Sequence, residues 1–93
     1  MNGKDKINRV TVRIFNDEYV IKGNAEGKYI EKIASYVDHK MNEITRRNPE
    51  LNSNKVAVLA AVNISDEFLR LKADYEELIK LLDEEDKWTK KKV

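Results

Sequence analysis

VAVLAAVNISDEFLRLKADYEELIKLL, residues 56–82, decides the fold of this chain. Ala57, Ala61, Ile64, Phe68, Leu71, Tyr75, Leu78 and Leu82 recur in alternating steps of four and three. That spacing is the a/d stripe of a heptad, which lays one apolar seam along a single helix face. With Ala61, Phe68, Tyr75 and Leu82 at a, Ile79 falls at e and Leu81 at g, so the seam widens toward the C-terminus. A strip that broad exceeds what one partner helix covers, and a four-stranded assembly is expected there. Upstream, Val56 to Val62 is apolar almost all round, which requires burial on several faces at once. Asn63, inside that stretch, is expected to need a hydrogen-bond partner for its amide.

The limits of this helix can be read from its flanks. Ser53 or Asn54 is the expected N-cap, and no Pro or Gly interrupts the chain from there to Val93. The helix is predicted to reach about Asp86, roughly 50 Å at 1.5 Å per residue. Pro49 stops a preceding helix, predicted over Glu26–Asn48, because the residue before a proline is pushed out of the α region. Its apolar residues Ile30, Ile33, Ala34, Val37, Met41 and Ile44 share one face. Folded back on the long helix, a segment of this length would cover it roughly to residue 75. Leu78, Ile79, Leu81 and Leu82 would then lack a partner within the chain, at about 1.5–3 kcal/mol each. Another copy is expected to cover them.

Residues 9–23 read as a β-hairpin. Val10, Val12 and Ile14 alternate with Arg9, Thr11 and Arg13. Asn16-Asp17 is the expected two-residue turn, pairing Val12 with Ile21, Arg13 with Val20 and Ile14 with Tyr19. That register gathers Val10, Val12, Ile14, Tyr19 and Ile21 on one apolar face. Two strands are barely stable by themselves, so this face needs a helix against it. The fold class is therefore α+β: an N-terminal two-stranded hairpin, an amphipathic helix, then one long helix forming an intermolecular coiled coil. Residues 1–55 make the head, 56–86 the coiled-coil helix continuous with it, and 87–93 a basic, frayed tail.

Composition narrows the function. The 93 residues carry 41% hydrophobic and 38% charged side chains with one Pro and three Gly, the balance of a helix-rich single domain. With no cysteine, disulfides and thiolate metal sites are excluded. The charged N-terminus lacks the apolar core of a signal peptide, and no apolar run approaches the ~20 residues of a membrane span, which points to the cytosol. Net charge is +1, divided as +3 over residues 1–55, −6 over 56–86 and +4 over 87–93. A basic head on an acidic rod favours an acidic partner at the head.

No motif carries catalysis. His39 is the only histidine, and Asp38 and Glu43 complete no metal-ligand pattern beside it. Phosphate loops, nucleophile elbows and zincin motifs are absent. Glu76-Glu77 and Glu84-Glu85-Asp86 read as solvated helix faces, with Glu76 placed to pair with Lys80. No enzyme, cofactor or metal site is expected. Lys87, Trp88, Lys90, Lys91 and Lys92 form a basic-aromatic cluster that would give modest affinity for phosphate.

The segment Ile14-Phe15-Asn16-Asp17-Glu18-Tyr19, an amphipathic helix, and Val58-Leu59-Ala60-Ala61-Val62-Asn63-Ile64-Ser65-Asp66-Glu67-Phe68 together resemble the bacterial cell division family ZapA. The Ala-Ala-hydrophobic-Asn-Ile run leading into a coil is the most specific part. The resemblance spans roughly residues 7–86 and is to the shorter members. It implies a dimer or dimer of dimers, cytoplasmic and at the division site. It also implies binding to FtsZ, the tubulin-like division GTPase, and bundling of its filaments. The resemblance implies contact with FtsZ through charged head residues, but the hairpin turn, basic in some members, is Asn16-Asp17-Glu18 here; the candidates in this chain are Arg13 on the polar hairpin face and Arg46, Arg47 and Lys55 flanking the helix connector. The competing class is a small oligomeric adaptor that binds nucleic acid or an anionic membrane surface through its basic head and tail.

Overall fold

The structure, a computed structural model, describes residues 7–92, with side chains described over residues 7–85. Strands β1 (Asn8–Ile14) and β2 (Asp17–Gly23) form an antiparallel pair, followed by helices α1 (Gly27–Arg47) and α2 (Ser53–Lys92). The chain divides into two compact units, Met1–Ala60 and Ala61–Val93.

In the first unit the hairpin closes one residue earlier than expected. Ile14 pairs with Asp17, Arg13 with Glu18, Val12 with Tyr19 and Val10 with Ile21, so the loop is Phe15-Asn16 rather than Asn16-Asp17. Both loop residues are left-handed, with φ 52° and 72°. A two-residue loop needs that hand to follow the twist of the strands. Asn tolerates the conformation, whereas a bulky residue is strained there by about 1–3 kcal/mol. Two contacts offset the strain. Phe15 packs beside the buried cluster of Met41, Ile44, Val56 and Ala60, and its N–H donates to Asp38 Oδ1 at 2.8 Å. Every partner moves by two positions relative to the expected register, so the apolar face keeps its membership. Val12 is buried and Val10, Ile14 and Ile21 are half-buried, but Tyr19 is exposed.

Helix α1 joins two small cores. Ile30 and Ala34 meet Val12, with Val10, Ile14, Ile21 and Ala25 around them. Seven and ten residues after Ala34 the same face supplies Met41 and Ile44, which meet Val56 and Ala60, with Val37 and Leu51 at the margin. Because its first half is spent on the hairpin, α1 shields α2 within this unit only at Val56 and Ala60. Ile33, placed on the core face by its spacing, is 46% exposed. The helix begins after Glu26 and its Asn48 cap donates to the Ile44 carbonyl at 2.9 Å, just before Pro49.

The cap of α2 is Asn52, not Ser53 or Asn54: its Oδ1 accepts from the Lys55 N–H at 2.9 Å. An N-cap side chain satisfies one of the four donors that a helix start leaves open. Asn52→Ala should lower the stability of the head by about 1 kcal/mol, read as a shift in the urea midpoint at constant slope.

The second unit is helical through Lys92 rather than ending near Asp86. No Pro or Gly intervenes to stop it. Asp66 accepts from Arg70 Nε with both carboxylate oxygens, at 3.1 and 3.0 Å. Glu76 meets Lys72, one turn before it, at 3.9 Å rather than the expected Lys80, one turn after it. Such exposed pairs contribute little. Asn63, expected to be buried, is exposed in the single chain.

Candidate interaction surfaces

Two surfaces, one on each unit, gather the residues singled out from the sequence. On the first unit, Arg13 occupies the solvent face of β1, where the strand alternation sends it away from Val12 and Ile14. Its Nη1 donates to the Asn16 carbonyl at 3.0 Å, which leaves the remaining guanidinium donors for other partners. Arg46 and Arg47 form the basic last turn of α1, and both are exposed. Lys55 is exposed in the first turn of α2. Arg46, Arg47 and Lys55 therefore flank one connector, while Arg13 belongs to the hairpin.

The sequence reading missed a groove beside that connector. Leu51, Asn54, Lys55, Val58 and Leu59 line a concavity of about 310 Å³. Val58 and Leu59 fall at e and f of the heptad, off the seam, and that misfit was the available signal. A second missed feature is an apolar strip on α1. Tyr29, Ile33 and Tyr36 are all exposed, and Lys40 Nζ stands 5.3 Å from the Tyr36 ring centroid. Their i, i+4, i+7 spacing extends the apolar face of α1 past the width its own chain covers.

On the second unit lies the heptad seam. Phe68, Leu71, Tyr75, Leu78, Ile79 and Leu82 are each about half exposed or more, Leu71 reaching 68%. Ala61 is exposed and Ile64 half-buried; Ala57, the first member of the stripe, is exposed in the head. Leu81 is also open, at 55%. Apolar exposure on this scale marks an association surface.

Nothing in either surface resembles a reaction centre. His39 Nε2 lies 3.3 Å from Glu43, an exposed i,i+4 pair. Among the described residues no group of His, Cys, Asp and Glu could hold a metal ion. No helix searched among them is long and apolar enough to cross a membrane. The side chains of the Lys87–Lys92 cluster lie outside the described residues.

A hairpin–helix head continued by a helix with an open apolar seam defines a self-associating helical protein. Comparison with known proteins gives the family. The model of the family described as cell division protein ZapA matches residues 10–91. A ZapA from Geobacillus thermodenitrificans is 47% identical over 70 residues, covering 75% of this chain and 77% of that protein. One from Geobacillus kaustophilus is 44% identical over 85 residues, covering 91% and 92%. Among solved structures, a ZapA mutant dimer from Geobacillus stearothermophilus superposes with a TM-score of 0.69 at 39% identity, covering 85% of this chain and 92% of that one. The chain belongs to the ZapA family of cell division proteins.

Proposed function

We propose that this chain is a non-catalytic accessory of the division ring that binds FtsZ and bundles its filaments as a dimer or tetramer in the cytoplasm. The observation that supports this most is the open seam from Phe68 to Leu82. Pairing identical chains along it buries the leucines and gives each assembly two or more heads. A multi-headed assembly can bridge filaments, and repeated weak contacts along a polymer add avidity. The basic head suits an acidic partner surface, and Arg46, Arg47, Lys55 and Arg13 are its proposed contacts.

Co-sedimentation tests the reading. The purified chain should raise the pelleted fraction of FtsZ polymers and leave DNA unshifted at about 150 mM salt, where four lysines give only modest phosphate affinity. The double variant Arg46→Glu/Arg47→Glu should weaken the effect by about tenfold, since reversed charges at a contact rim slow association. A chain that shifts DNA and leaves FtsZ polymers unchanged replaces the bundling role with that of a nucleic-acid adaptor.

A further inference from the structure

The tip of the hairpin is held by a residue far away in sequence. Asp38, in the middle of α1, accepts the Phe15 N–H at 2.8 Å through Oδ1, in a partly buried bond across 23 positions. Phe15 and Asn16 are the two left-handed residues of the loop. Arg13 Nη1 donates to the Asn16 carbonyl at 3.0 Å, so the guanidinium is tied to the same two-residue loop whose amide Asp38 holds. A hydrogen bond to an ionised acceptor is among the stronger kinds. Without it, Phe15 loses the contact that offsets its backbone conformation on the polar side, and the loop can relax toward negative φ. The Asn16 carbonyl then turns, and Arg13 loses its anchor. The Phe15 ring still packs on the second core, so the head remains folded.

We propose that Asp38 is a positioning residue for the partner contact: it holds the hairpin tip, and through the Asn16 carbonyl the Arg13 guanidinium, in the orientation that FtsZ engages. This rests on the FtsZ reading above. Asp38 touches the loop and not the partner, and its effect passes through backbone geometry alone.

The test uses the full chain with Asp38→Ala, Asp38→Asn, Arg13→Ala and the double variant Arg13→Ala/Asp38→Ala. Amide exchange at Phe15, light-scattering mass and affinity for FtsZ polymers are measured on each. Asp38→Ala should keep the wild-type mass, speed Phe15 exchange about tenfold or more, and weaken polymer binding about tenfold. Arg13→Ala should weaken binding similarly, and the double variant no further than either single change, because the two act through one contact. Asp38→Asn keeps an oxygen acceptor and should restore binding to within about threefold of wild type. Wild-type affinity in Asp38→Ala, additive losses in the double variant, or a folded Asp38→Asn that fails to rescue each overturns the proposal. Should Asp38→Ala not fold, Asp38→Glu carries the test: it keeps the charge and displaces the acceptor, and unchanged binding overturns the role. A wild-type chain without effect on FtsZ polymers sinks the bundling reading and the contact role with it. That result is recognisable because the difference in Phe15 exchange persists.

Discussion

Leu78→Glu or Leu82→Glu should reduce the solution mass of the assembly at least twofold while the head melts as in the wild type. Each leucine is 53% exposed in the single chain, so the substitution costs the monomer almost nothing. In an assembly paired along the seam, the leucine contributes about 1.5–3 kcal/mol by burial, and a carboxylate in its place must be desolvated without a partner. The combined loss, several kcal/mol, shifts association by a thousandfold or more. Light scattering reads the mass and circular dichroism the head transition. A wild-type chain that runs as a monomer would remove the basis of the coil argument, whatever the variants do.

The second large effect is confined to the head. Ile44→Ala should destabilise it by about 2–5 kcal/mol, whereas Ile33→Ala should cost it under about 1 kcal/mol. Both are isoleucines on the apolar side of α1, but Ile44 is 7% exposed against Met41, Val56 and Ala60 and Ile33 is 46% exposed. Truncating Ile44 opens a cavity between two helices that a small core cannot collapse to fill. Denaturant midpoints at matched slopes compare the two directly. If Ile33→Ala proves as costly as Ile44→Ala at a concentration where chains associate, a second copy covers the Tyr29–Ile33–Tyr36 strip.

Periodicity made most of this fold legible before any coordinates. The i, i+3, i+4 spacing found both helices, and Pro49 with Asn48 marked the end of α1 within a residue. What escaped was chemistry without a period. The turn fell on Phe15-Asn16 because a partly buried ring and the distant carboxylate of Asp38 outweigh the ordinary reluctance of phenylalanine toward positive φ. A tertiary bond spanning 23 residues leaves no mark on local pattern. Asn52 was passed over as the cap because Ser53 and Asn54 are equally good cap residues, and only geometry separates three adjacent candidates. Among the proposed contact residues, the reading placed Arg46, Arg47 and Lys55 around the connector. It overlooked the groove formed by Leu51, Val58 and Leu59 because it followed the heptad seam alone.

The left-handed pair at the hairpin tip also narrows the routes by which this turn can drift. Glycine at 15 would relax the backbone and abandon the core contact; a β-branched side chain would keep the grease and aggravate the twist. Position 16 admits glycine or aspartate readily, so variation at the tip is expected to accumulate there and at Asp17 and Glu18. Lineages can thus recolour the outer charges of this corner while its bend stays fixed by one aromatic anchor.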